Sequence, residues 1–549
     1  MAIAAAKELG AYYTDEAVAR FLVRWAIRRG EDTALDPSFG GGVFLEAAAE
    51  RVRELGGDAP GAVFGVEIDS DVHREFIGRH QTLNPHQLLC ADFFSVGLVD
   101  LPQVVAVVGN PPFIRFQRFG GDERRRALAR AAEAGVELSQ LTSSWAPFLV
   151  HAAKFVKSGG RLAMVAPAEL AHAAYAVPVI EFLRKTFGST RVLTFRQKLF
   201  PQLSEDTVLI LASEKGQPFA RFSSVDLIGP AALERFVEPA TDLPRGAAVD
   251  AEAVEQGQVR LFHYLLPPKV RHLYQELQAT RHVTRLGALA DVGIGYVSGH
   301  NEYFHFTQEE ADRQRIPREY LRPAVRRGSE LRGVRLTWPD LTALLEEGGA
   351  NWLLHITEKD GAALPSAVAR YVETGVKEGV HRRFKCRSRT PWFGVPHVYV
   401  GDAFLTYMNG DEPKLVANEA EAVAPNTLHI VRLHALSAED LGGTGLATLW
   451  QTSLTELSCE IEGHSLGGGM LKLEPTEAGR VVVATPTKAR QGLEGLAREL
   501  DDLLRQGRRR EARERADRLI LSRGLGLPKQ DVELLRQASE ALRERRTKR

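Results

Sequence analysis

The sequence predicts a protein of the α/β class whose first part is a doubly wound, Rossmann-like sheet with helices on both faces. Two observations carry this prediction. From Thr14 to about Ser213, short apolar and β-branched segments alternate with segments of helical periodicity, which is the pattern of parallel βαβ units. At 549 residues the chain is also far longer than the length at which a single hydrophobic core stops growing. We therefore expect two or three domains.

The predicted elements begin with a helix and continue with seven strands. Thr14 and Asp15 have the chemistry of a helix N-cap, and Val18, Phe21 and Leu22 recur at helical spacing after them. The strands are short, apolar and often β-branched, as expected for a buried parallel sheet. They are predicted at residues 33–35, 62–66, 88–91, 104–108, 161–166, 192–195 and 207–212. Because ligands of such sheets bind at the carboxyl ends of the strands, we expect the functional residues there.

The pattern divides the chain into four parts. Residues 1–220 form the α/β domain. Residues 221–259 lose periodicity and gain Pro, Gly and charge, which indicates a linker. Residues 260–485 contain strand-like segments punctuated by glycine, which indicates an α+β domain. Residues 486–549 are rich in Leu, Arg and Glu at helical spacing, which predicts a helical, basic C-terminal tail.

The composition excludes several classes of protein. Apolar residues make up 44% and charged residues 26% of the chain, and no apolar run approaches the roughly 18 residues of a membrane span, so we expect a soluble protein without a membrane partner. The N-terminus has no secretory signal pattern, which favours the cytoplasm. The 3 cysteines and 16 histidines show no metal-ligand spacing. We therefore predict reduced thiols and no metal site.

The net charge is zero, yet the charges are unevenly distributed. Residues 1–110 hold 9 basic and 16 acidic side chains, whereas residues 260–400 hold 21 and 15. A basic region of this kind fits a nucleic-acid partner, although a charge run alone is more often a solvated helix face. A local basic run also follows Asn110, and its members are Arg115, Arg118, Arg124, Arg125, Arg126 and Arg130.

The first predicted βα turn carries a carboxylate and glycines, reading Asp36-Pro37-Ser38-Phe39-Gly40. It has neither the GxGxxG spacing of a dinucleotide site nor the lysine of a phosphate-binding loop. A strand-end carboxylate beside backbone that a ligand can approach closely suits a cationic ligand. The amino-acid end of S-adenosylmethionine has this chemistry, because it carries an ammonium and a sulfonium and no phosphate.

The next two strand ends also carry acids. Glu67 can accept both ribose hydroxyls of a nucleoside, as acids at this place in nucleotide-binding sheets do. Asp92 can accept a hydrogen bond from an adenine amine, while Ile68 and Phe93 enclose the adenine ring. Strand-end acids also cap helices, but several consecutive strand ends with this chemistry favour a cofactor site.

The fourth strand runs into Asn110-Pro111-Pro112-Phe113. An exocyclic amine on an aromatic ring is a poor nucleophile, because its lone pair is delocalised. If the side-chain oxygen of Asn110 and the carbonyl of Pro111 accept its two N–H bonds, the lone pair is directed at an incoming methyl group. Proline fixes the backbone and removes competing donors, and Phe113 can stack on the target ring. The tetrapeptide therefore predicts methylation of a planar nitrogen.

These motifs, in this order, resemble the gamma-class N6-adenine DNA methyltransferases of type II restriction–modification systems. The resemblance includes Tyr13-Thr14 near the N-terminus and the segment Lys198-Leu-Phe200-Pro201-Gln202. It implies S-adenosyl-L-methionine as cofactor, double-stranded DNA as partner, a separate endonuclease acting on the same site, and a monomer in solution. It also implies that Phe200 lies against a flipped base. The implied cofactor contacts are Tyr13, Thr14, Asp36, Phe39, Gly40, Glu67, Ile68, Asp92 and Phe93.

Two departures from the family pattern leave the chemistry intact: Asp36 stands where some members have Glu, and Phe113 stands where Tyr is commoner. In the second half, residues 293–301, 321–327, 385–392 and 467–475 resemble target-recognition domains, in which Arg and Lys among exposed aromatics contact phosphates and base edges. These residues do not reveal the recognised DNA sequence.

Three alternatives remain at this point. The tetrapeptide also suits a methyltransferase acting on protein glutamine or on RNA, although the basic half after residue 260 favours DNA. A combined restriction and methylation enzyme needs a nuclease carboxylate cluster, for which only Glu412-Pro-Lys414 offers a resemblance, and the α/β domain starts too early to leave room for one upstream. A DNA-binding protein with an inactive site is disfavoured by the intact tetrapeptide.

Overall fold

The computed structural model describes residues 15–171, 174–201, 206–236, 243–257, 259–358, 363–487 and 492–547. The chain forms two compact units that meet in sequence between Pro268 and Lys269. Within the described residues no helix is both long enough and apolar enough to cross a membrane.

The first unit is built on one nine-stranded sheet. Its strands are β1 Ala34–Asp36, β2 Val63–Glu67, β3 Leu88–Cys90, β4 Val104–Gly109, β5 Val156–Pro167, β6 Phe187–Phe195, β7 Thr207–Lys215, β8 Arg221–Leu227 and β9 Ala247–Ala248. Its helices are α1 Glu16–Ala26, α2 Val43–Glu54, α3 Ala59–Ala62, α4 Ser70–Arg79, α5 Gly121–Glu133, α6 Trp145–Lys154, α7 Val177–Thr186, α8 Ala231–Glu234 and α9 Ala251–Glu255.

The strand order of this sheet is β3-β2-β1-β4-β5-β7-β6-β8-β9. The first five of these strands are parallel, and β7 runs antiparallel between β5 and β6. The chain order reverses between β1 and β4, and a crevice opens at such a switch point in doubly wound sheets. The predicted fold class is confirmed, and all seven predicted strands are present.

The prediction of a linker at residues 221–259 is wrong, because part of this range belongs to the sheet. Residues Arg221–Leu227 form β8, which pairs in parallel with β6 over seven residues, and β9 pairs with β8. The reason is that β6 would otherwise present an edge of unpaired backbone groups. The pattern was hidden because the strand carries two buried serines, Ser223 and Ser224, among its apolar residues.

The first helix and the core agree with the sequence pattern. Asp15 caps α1 by accepting the N–H of Ala17 at 2.8 Å. Thr14 lies outside the described residues. A large hydrophobic cluster covers the sheet, with Trp145 and Phe155 among its fully buried members. This packing holds the strand ends in fixed positions.

The second unit combines several small sheets with helices. Its strands are β10 Val283–Arg285, β11 Ala290–Ile294, β12 His305–Phe306, β13 Leu321–Pro323, β14 Arg335–Leu336, β15 Trp352–Leu354, β16 Ala403–Thr406, β17 Met408–Asn409, β18 Leu415–Asn418, β19 Leu428–Leu433, β20 His464–Leu466, β21 Met470–Lys472 and β22 Val482–Ala484. Its helices are α10 Pro268–Gln278, α11 Leu286–Leu289, α12 Asn301–Phe304, α13 Gln308–Gln314, α14 Trp338–Glu346, α15 Ser366–Lys377, α16 Phe384–Arg387, α17 Ala435–Asp440, α18 Gly442–Leu449, α19 Ser453–Glu462, α20 Pro475–Arg480, α21 Leu493–Arg505, α22 Arg509–Ala516 and α23 Lys529–Thr547, with a π-helical turn at Asp517–Gly524.

The largest sheet of this unit has the order β11-β19-β16-β18-β14 and is antiparallel except for the pair of β14 with β18. The C-terminal helices are packed parts of the unit. Helix α23 packs against α19, α21 packs against α18, and Leu500 and Leu535 are fully buried. The segment is helical where helices are predicted, but it is not a free tail because its apolar faces are covered.

Candidate active site

The strand ends that carry the predicted site lie side by side. Strands β3, β2, β1 and β4 are neighbours in this order, and Glu67 pairs in register with Cys90. Since parallel strands end at the same edge of a sheet, their terminal side chains surround one crevice. The structure therefore brings Asp36, Glu67, Asp92 and Asn110 to a common edge.

Asp36 ends β1 and is almost completely buried. Its Oδ1 accepts the N–H of Ser38 at 3.0 Å, while Oδ2 has no hydrogen-bond partner within the described part of the chain. Burial raises the pKa of the Asp36 carboxyl to about 8; the Ser38 N–H opposes this rise and the charge of Glu67 adds to it. A buried carboxyl with an unused oxygen is suited to a cationic or hydrogen-donating ligand.

The turn after β1 touches the tetrapeptide after β4. A Cβ atom at Gly109 would lie only 2.9 Å from Oδ1 of Asp36, so this position needs glycine. The hydroxyl of Ser38 lies 3.5 Å from the backbone oxygen of Asn110. The cofactor turn and the tetrapeptide predicted from distant parts of the sequence are therefore in direct contact.

Glu67 is buried at the end of β2 and organises the turn. Its Oε2 accepts the N–H of Gly40 and its Oε1 accepts the N–H of Asp69, both at 2.8 Å. Gly40 has a φ of +51°, a conformation that favours glycine. A carboxylate has about four acceptor sites, so the remaining ones can still receive ribose hydroxyls.

Three predicted cofactor contacts differ in accessibility. Ile68 is 54% exposed at the end of β2 and is available to a ligand. The ring of Phe93 is instead buried against Phe148 and Phe155, and the ring of Phe39 is buried against Phe76. The predicted enclosure of adenine between Ile68 and Phe93 stays a prediction, and it needs a part of the Phe93 ring that Phe148 and Phe155 do not cover.

Asp92 has two partners within the unit. Its Oδ1 accepts the N–H of Phe94 at 3.0 Å, and its Oδ2 accepts Nε and Nη2 of Arg126 at 3.1 and 2.7 Å. Arg126 lies on α5, inside the basic run noted after the tetrapeptide. A ligand amine that binds Oδ2 of Asp92 would therefore share it with Arg126. No spacing in the chain indicates this pair.

Other arginines of the same run are also engaged internally. Arg124 donates to the carbonyls of Phe116 and Phe119, and Arg130 donates to the carbonyl of Phe94. Their bonding fits the alternative that a charge run belongs to an ordinary helix face more closely than it fits a DNA-contacting surface.

The residues predicted to contact the target ring are enclosed to different degrees. Asn110 is half-buried, Phe113 is 8% exposed and Phe200 is 3% exposed. Phe113 and Phe200 belong to the same hydrophobic cluster. A base could stack on either ring only after the residues that cover it move. Tyr13, Thr14 and Gln202 lie outside the described residues.

The second unit presents an exposed group of aromatic and basic side chains on α16. Phe384 is 66% exposed, and Nζ of Lys385 and Cζ of Arg387 lie 5.5 and 5.6 Å from the centre of its ring. Arg389 was predicted with this group, but it donates to the carbonyls of Ser298 and Trp392. Its guanidinium is therefore engaged within the fold.

The charged residues of Glu412-Pro-Lys414, the tripeptide that resembles a nuclease motif, form ion pairs and hydrogen bonds within the second unit. Glu412 pairs with Arg513 and Arg543, and Nζ of Lys414 donates to the carbonyls of Gly328 and Leu331 at 3.2 and 2.8 Å. Among the described residues, no group of three or more His, Cys, Asp or Glu side chains could hold a metal ion. Glu412 and Lys414 therefore both have partners within the second unit.

The donor set of the first unit fits S-adenosylmethionine. Asp36 offers an oxygen without a hydrogen-bond partner in the described chain, beside an edge where Glu67 keeps unused acceptor sites and Ile68 is exposed. Acidic and apolar groups at adjoining strand ends suit a cationic nucleoside and do not suit a phosphate.

Two family models match separate parts of the chain. Residues 1–215 match the model described as N-6 DNA Methylase, and residues 258–521 match the model described as Type II methyltransferase M.Eco57I, C-terminal domain. The chain is 20% identical over 483 residues to Type II methyltransferase M.AccI of Acinetobacter calcoaceticus, which covers 86% of this chain and 84% of that protein. It is 22% identical over 484 residues to Type II methyltransferase M.XamI of Xanthomonas campestris pv. amaranthicola, covering 87% and 85%.

Solved structures of low identity share the fold. The Type IIL restriction–modification enzyme MmeI, solved in complex with DNA, has a TM-score of 0.56 and 14% identity, covering 98% of this chain and 79% of that one. The DrdV–DNA complex has a TM-score of 0.51 and 11% identity, covering 91% and 58%. With the N-6 DNA Methylase match over the α/β unit, the chain is a DNA methyltransferase that acts on adenine, of the kind found in restriction–modification systems.

Proposed function

We propose that this enzyme transfers a methyl group from S-adenosyl-L-methionine to N6 of one adenine within a specific duplex DNA sequence, in the manner of the gamma class. The observation that carries the proposal is that the turn after β1 lies against the tetrapeptide after β4, where the Ser38 hydroxyl is 3.5 Å from the backbone oxygen of Asn110. This proximity supports a cofactor site beside backbone carbonyls that can accept the N–H groups of a planar amine.

The target amine would be held by Asn110 and Pro111. The side-chain oxygen of Asn110 and the carbonyl of Pro111 would accept its two N–H bonds, which draws the nitrogen towards tetrahedral geometry. Bound S-adenosylmethionine supplies the electrophilic methyl group. Holding the two reactants in line accounts for much of the rate, and the amine loses its proton after transfer.

The cofactor would be held by the strand-end acids. Asp36 would receive the amino-acid end, Glu67 the ribose hydroxyls and Asp92 the adenine amine. Ile68 would cover one face of the adenine ring, and Gly40 would allow the turn to approach the ligand closely. Tyr13 and Thr14 stay a prediction for the methionine end, Phe39 stays a predicted cofactor contact, and Phe93 stays predicted with Asp92 at the adenine.

Adenine is inaccessible inside the double helix, so the enzyme must flip the target base out of the stack. We assign DNA recognition to residues 260–485, with the helices of residues 486–549 supporting them, and we assign phosphate contacts to Lys385 and Arg387 beside the exposed Phe384 ring. Phe113 and Phe200 would stack on the flipped base after local rearrangement. Cleavage would belong to a separate endonuclease of the same specificity, and the enzyme would act as a monomer.

The direct experiment follows the label from S-adenosylmethionine. The purified protein is incubated with labelled cofactor and, in separate reactions, duplex DNA, RNA or bulk cell protein, and the DNA is then digested to nucleosides. Label in N6-methyldeoxyadenosine is expected. Label found only in RNA or protein would overturn the proposal in favour of the RNA or glutamine alternative.

The role of the tetrapeptide is tested by Asn110→Ala. We expect transfer to be abolished while S-adenosylmethionine still binds, because Asn110 is assigned to the target amine. Cofactor affinity measured by calorimetry is the control. Turnover equal to that of the unaltered enzyme would refute the role of Asn110.

A further inference from the structure

We propose that Ser144 is a positioning residue for methyl transfer, holding the backbone of the tetrapeptide in its reactive geometry. This inference rests on the proposed function of Asn110–Phe113. Ser144 itself contacts neither the cofactor site nor the target amine in this scheme, and it acts through the carbonyl group of Pro112.

Three hydrogen bonds join Ser144 to the loop after β4. Its hydroxyl donates to the carbonyl of Pro112 at 2.5 Å and accepts the N–H of Ile114 at 2.8 Å. Its own N–H donates to the carbonyl of Ile114 at 3.0 Å. Ser144 is 1% exposed. Its hydroxyl therefore bonds to the loop on both sides of Phe113, away from competing water.

The tetrapeptide needs such an outside donor because its prolines have no N–H. Pro111 and Pro112 cannot donate to a neighbouring strand, and their rings fix φ near −65°. A residue that precedes a proline is also restricted in ψ, which limits Asn110 and Pro111. The torsion that stays soft is ψ of Pro112, and the hydroxyl of Ser144 fixes it by holding the Pro112 carbonyl.

Ser144 is in turn held by a rigid element. It is the residue before α6, whose first residue, Trp145, is fully buried and donates from its indole to the Tyr175 hydroxyl at 3.2 Å. Side chains that orient a site are effective when their own positions are locked by packing. The tetrapeptide is therefore aligned by the hydrophobic core through one hydroxyl group.

Ser144→Ala tests this role, with Ser144→Thr as the rescue variant and Ser143→Ala as the matched control. Ser143 is similarly buried, but its hydroxyl faces Tyr175 at 3.5 Å and not the loop. The rate constant of methyl transfer is measured in single turnovers, together with the affinity for S-adenosylmethionine and the Tm.

We expect Ser144→Ala to slow transfer by about 10- to 100-fold, the range caused by small misplacements of reacting groups, with unchanged cofactor affinity. Ser144→Thr should recover most of the rate, because it keeps a hydroxyl. Ser144→Cys should have an intermediate rate of transfer, because its thiol is similar in size but a weak donor. If Ser144→Ala fails to fold, Ser144→Cys takes its place in the comparison.

Transfer by Ser144→Ala at the unaltered rate would overturn the inference, as would equal impairment of the Ala, Cys and Thr variants. Equal losses of rate in Ser144→Ala and Ser143→Ala, with matching drops in Tm, would also overturn it in favour of a general packing role. If the unaltered enzyme makes no N6-methyladenine, the proposed function fails instead, so the two failures are distinguishable.

Discussion

In the first unit, Asp36 is buried with one carboxyl oxygen that has no hydrogen-bond partner among the described residues, whereas in the second unit Glu460 is equally buried and faces Arg546. Burial raises the pKa of both carboxyls, but the Arg546 guanidinium opposes the rise at Glu460. At Asp36 the opposing group is only the backbone N–H of Ser38.

Glu412 of the second unit is also paired with arginines. Burial alone would raise the pKa of Glu412, yet Arg513 and Arg543 hold it below the ordinary value. Taking a charge out of water costs several kcal/mol unless a partner compensates it. In the second unit, Glu412 and Glu460 have arginine partners within the protein, whereas at Asp36 we propose that a bound ligand is the compensating group.

The largest effect is expected on the free energy of unfolding, when the buried pair of Arg546 and Glu460 is broken. Arg546→Ala leaves Glu460 buried without its cation and removes donors to the carbonyls of Gly410 and Asp411. We expect a loss of about 3 to 5 kcal/mol in the free energy of unfolding, measured by urea denaturation. Arg498→Ala is the control, because Arg498 and Glu494 are 67% and 81% exposed, and a loss below about 1 kcal/mol is expected. Equal losses would contradict the comparison.

A smaller effect is expected in the pH dependence of cofactor binding. With a pKa of about 8, Asp36 is mostly protonated at pH 7 in the free enzyme, and a bound cation favours its ionised form. Affinity for S-adenosylmethionine should therefore rise as the pH rises towards 8, by up to about tenfold per pH unit.

The reference for this measurement is Asp36→Asn. The ligand's own amino group titrates at a similar pH, and in Asp36→Asn it titrates alone. We expect the affinity ratio of the unaltered protein to Asp36→Asn, measured by calorimetry from pH 6 to 9, to grow with pH and level off above 8. A constant ratio would show that Asp36 does not face the cation.

The smallest effect is expected on the surface of the second unit. Replacing Lys385 and Arg387 together by Ala should weaken duplex binding and reduce the slope of log affinity against log salt by about one per lost phosphate contact. Fluorescence anisotropy over a salt series measures this slope. Arg498→Ala again serves as the control, and an unchanged slope in the double variant would remove α16 from the DNA surface.

The extent of correct prediction differs between the two units. In the first, strands β1 to β4 are short, mainly apolar runs that end in or are closely followed by an acid or Asn110, so both these elements and the site positions could be read locally. The directions of some side chains could not be read, because they depend on packing. Phe93 and Phe39 follow the site residues in sequence, yet their rings enter the core.

In the second unit, the sequence predicted the α+β class but not the individual strands. Its strands are short and pair over long separations, as when β10 pairs with β22. Polar residues of such strands are buried with specific partners, so local periodicity is weak. For the same reason the sequence pattern places Arg389 among exposed basic side chains, although its guanidinium donates to the carbonyl of Ser298, 91 residues away.

The sequence by itself determined where the first seven strands lie along the chain, the acids that end or follow the early strands, and the Asn110 tetrapeptide, because these depend on patterns within a few residues. Only the tertiary structure decided which side chains bind these acids and the backbone of the tetrapeptide. Arg126 reaches Asp92 across 34 residues, and Ser144 reaches Pro112 across 32. Partners this distant are set by how strands and helices pack, and no local spacing in the chain encodes them.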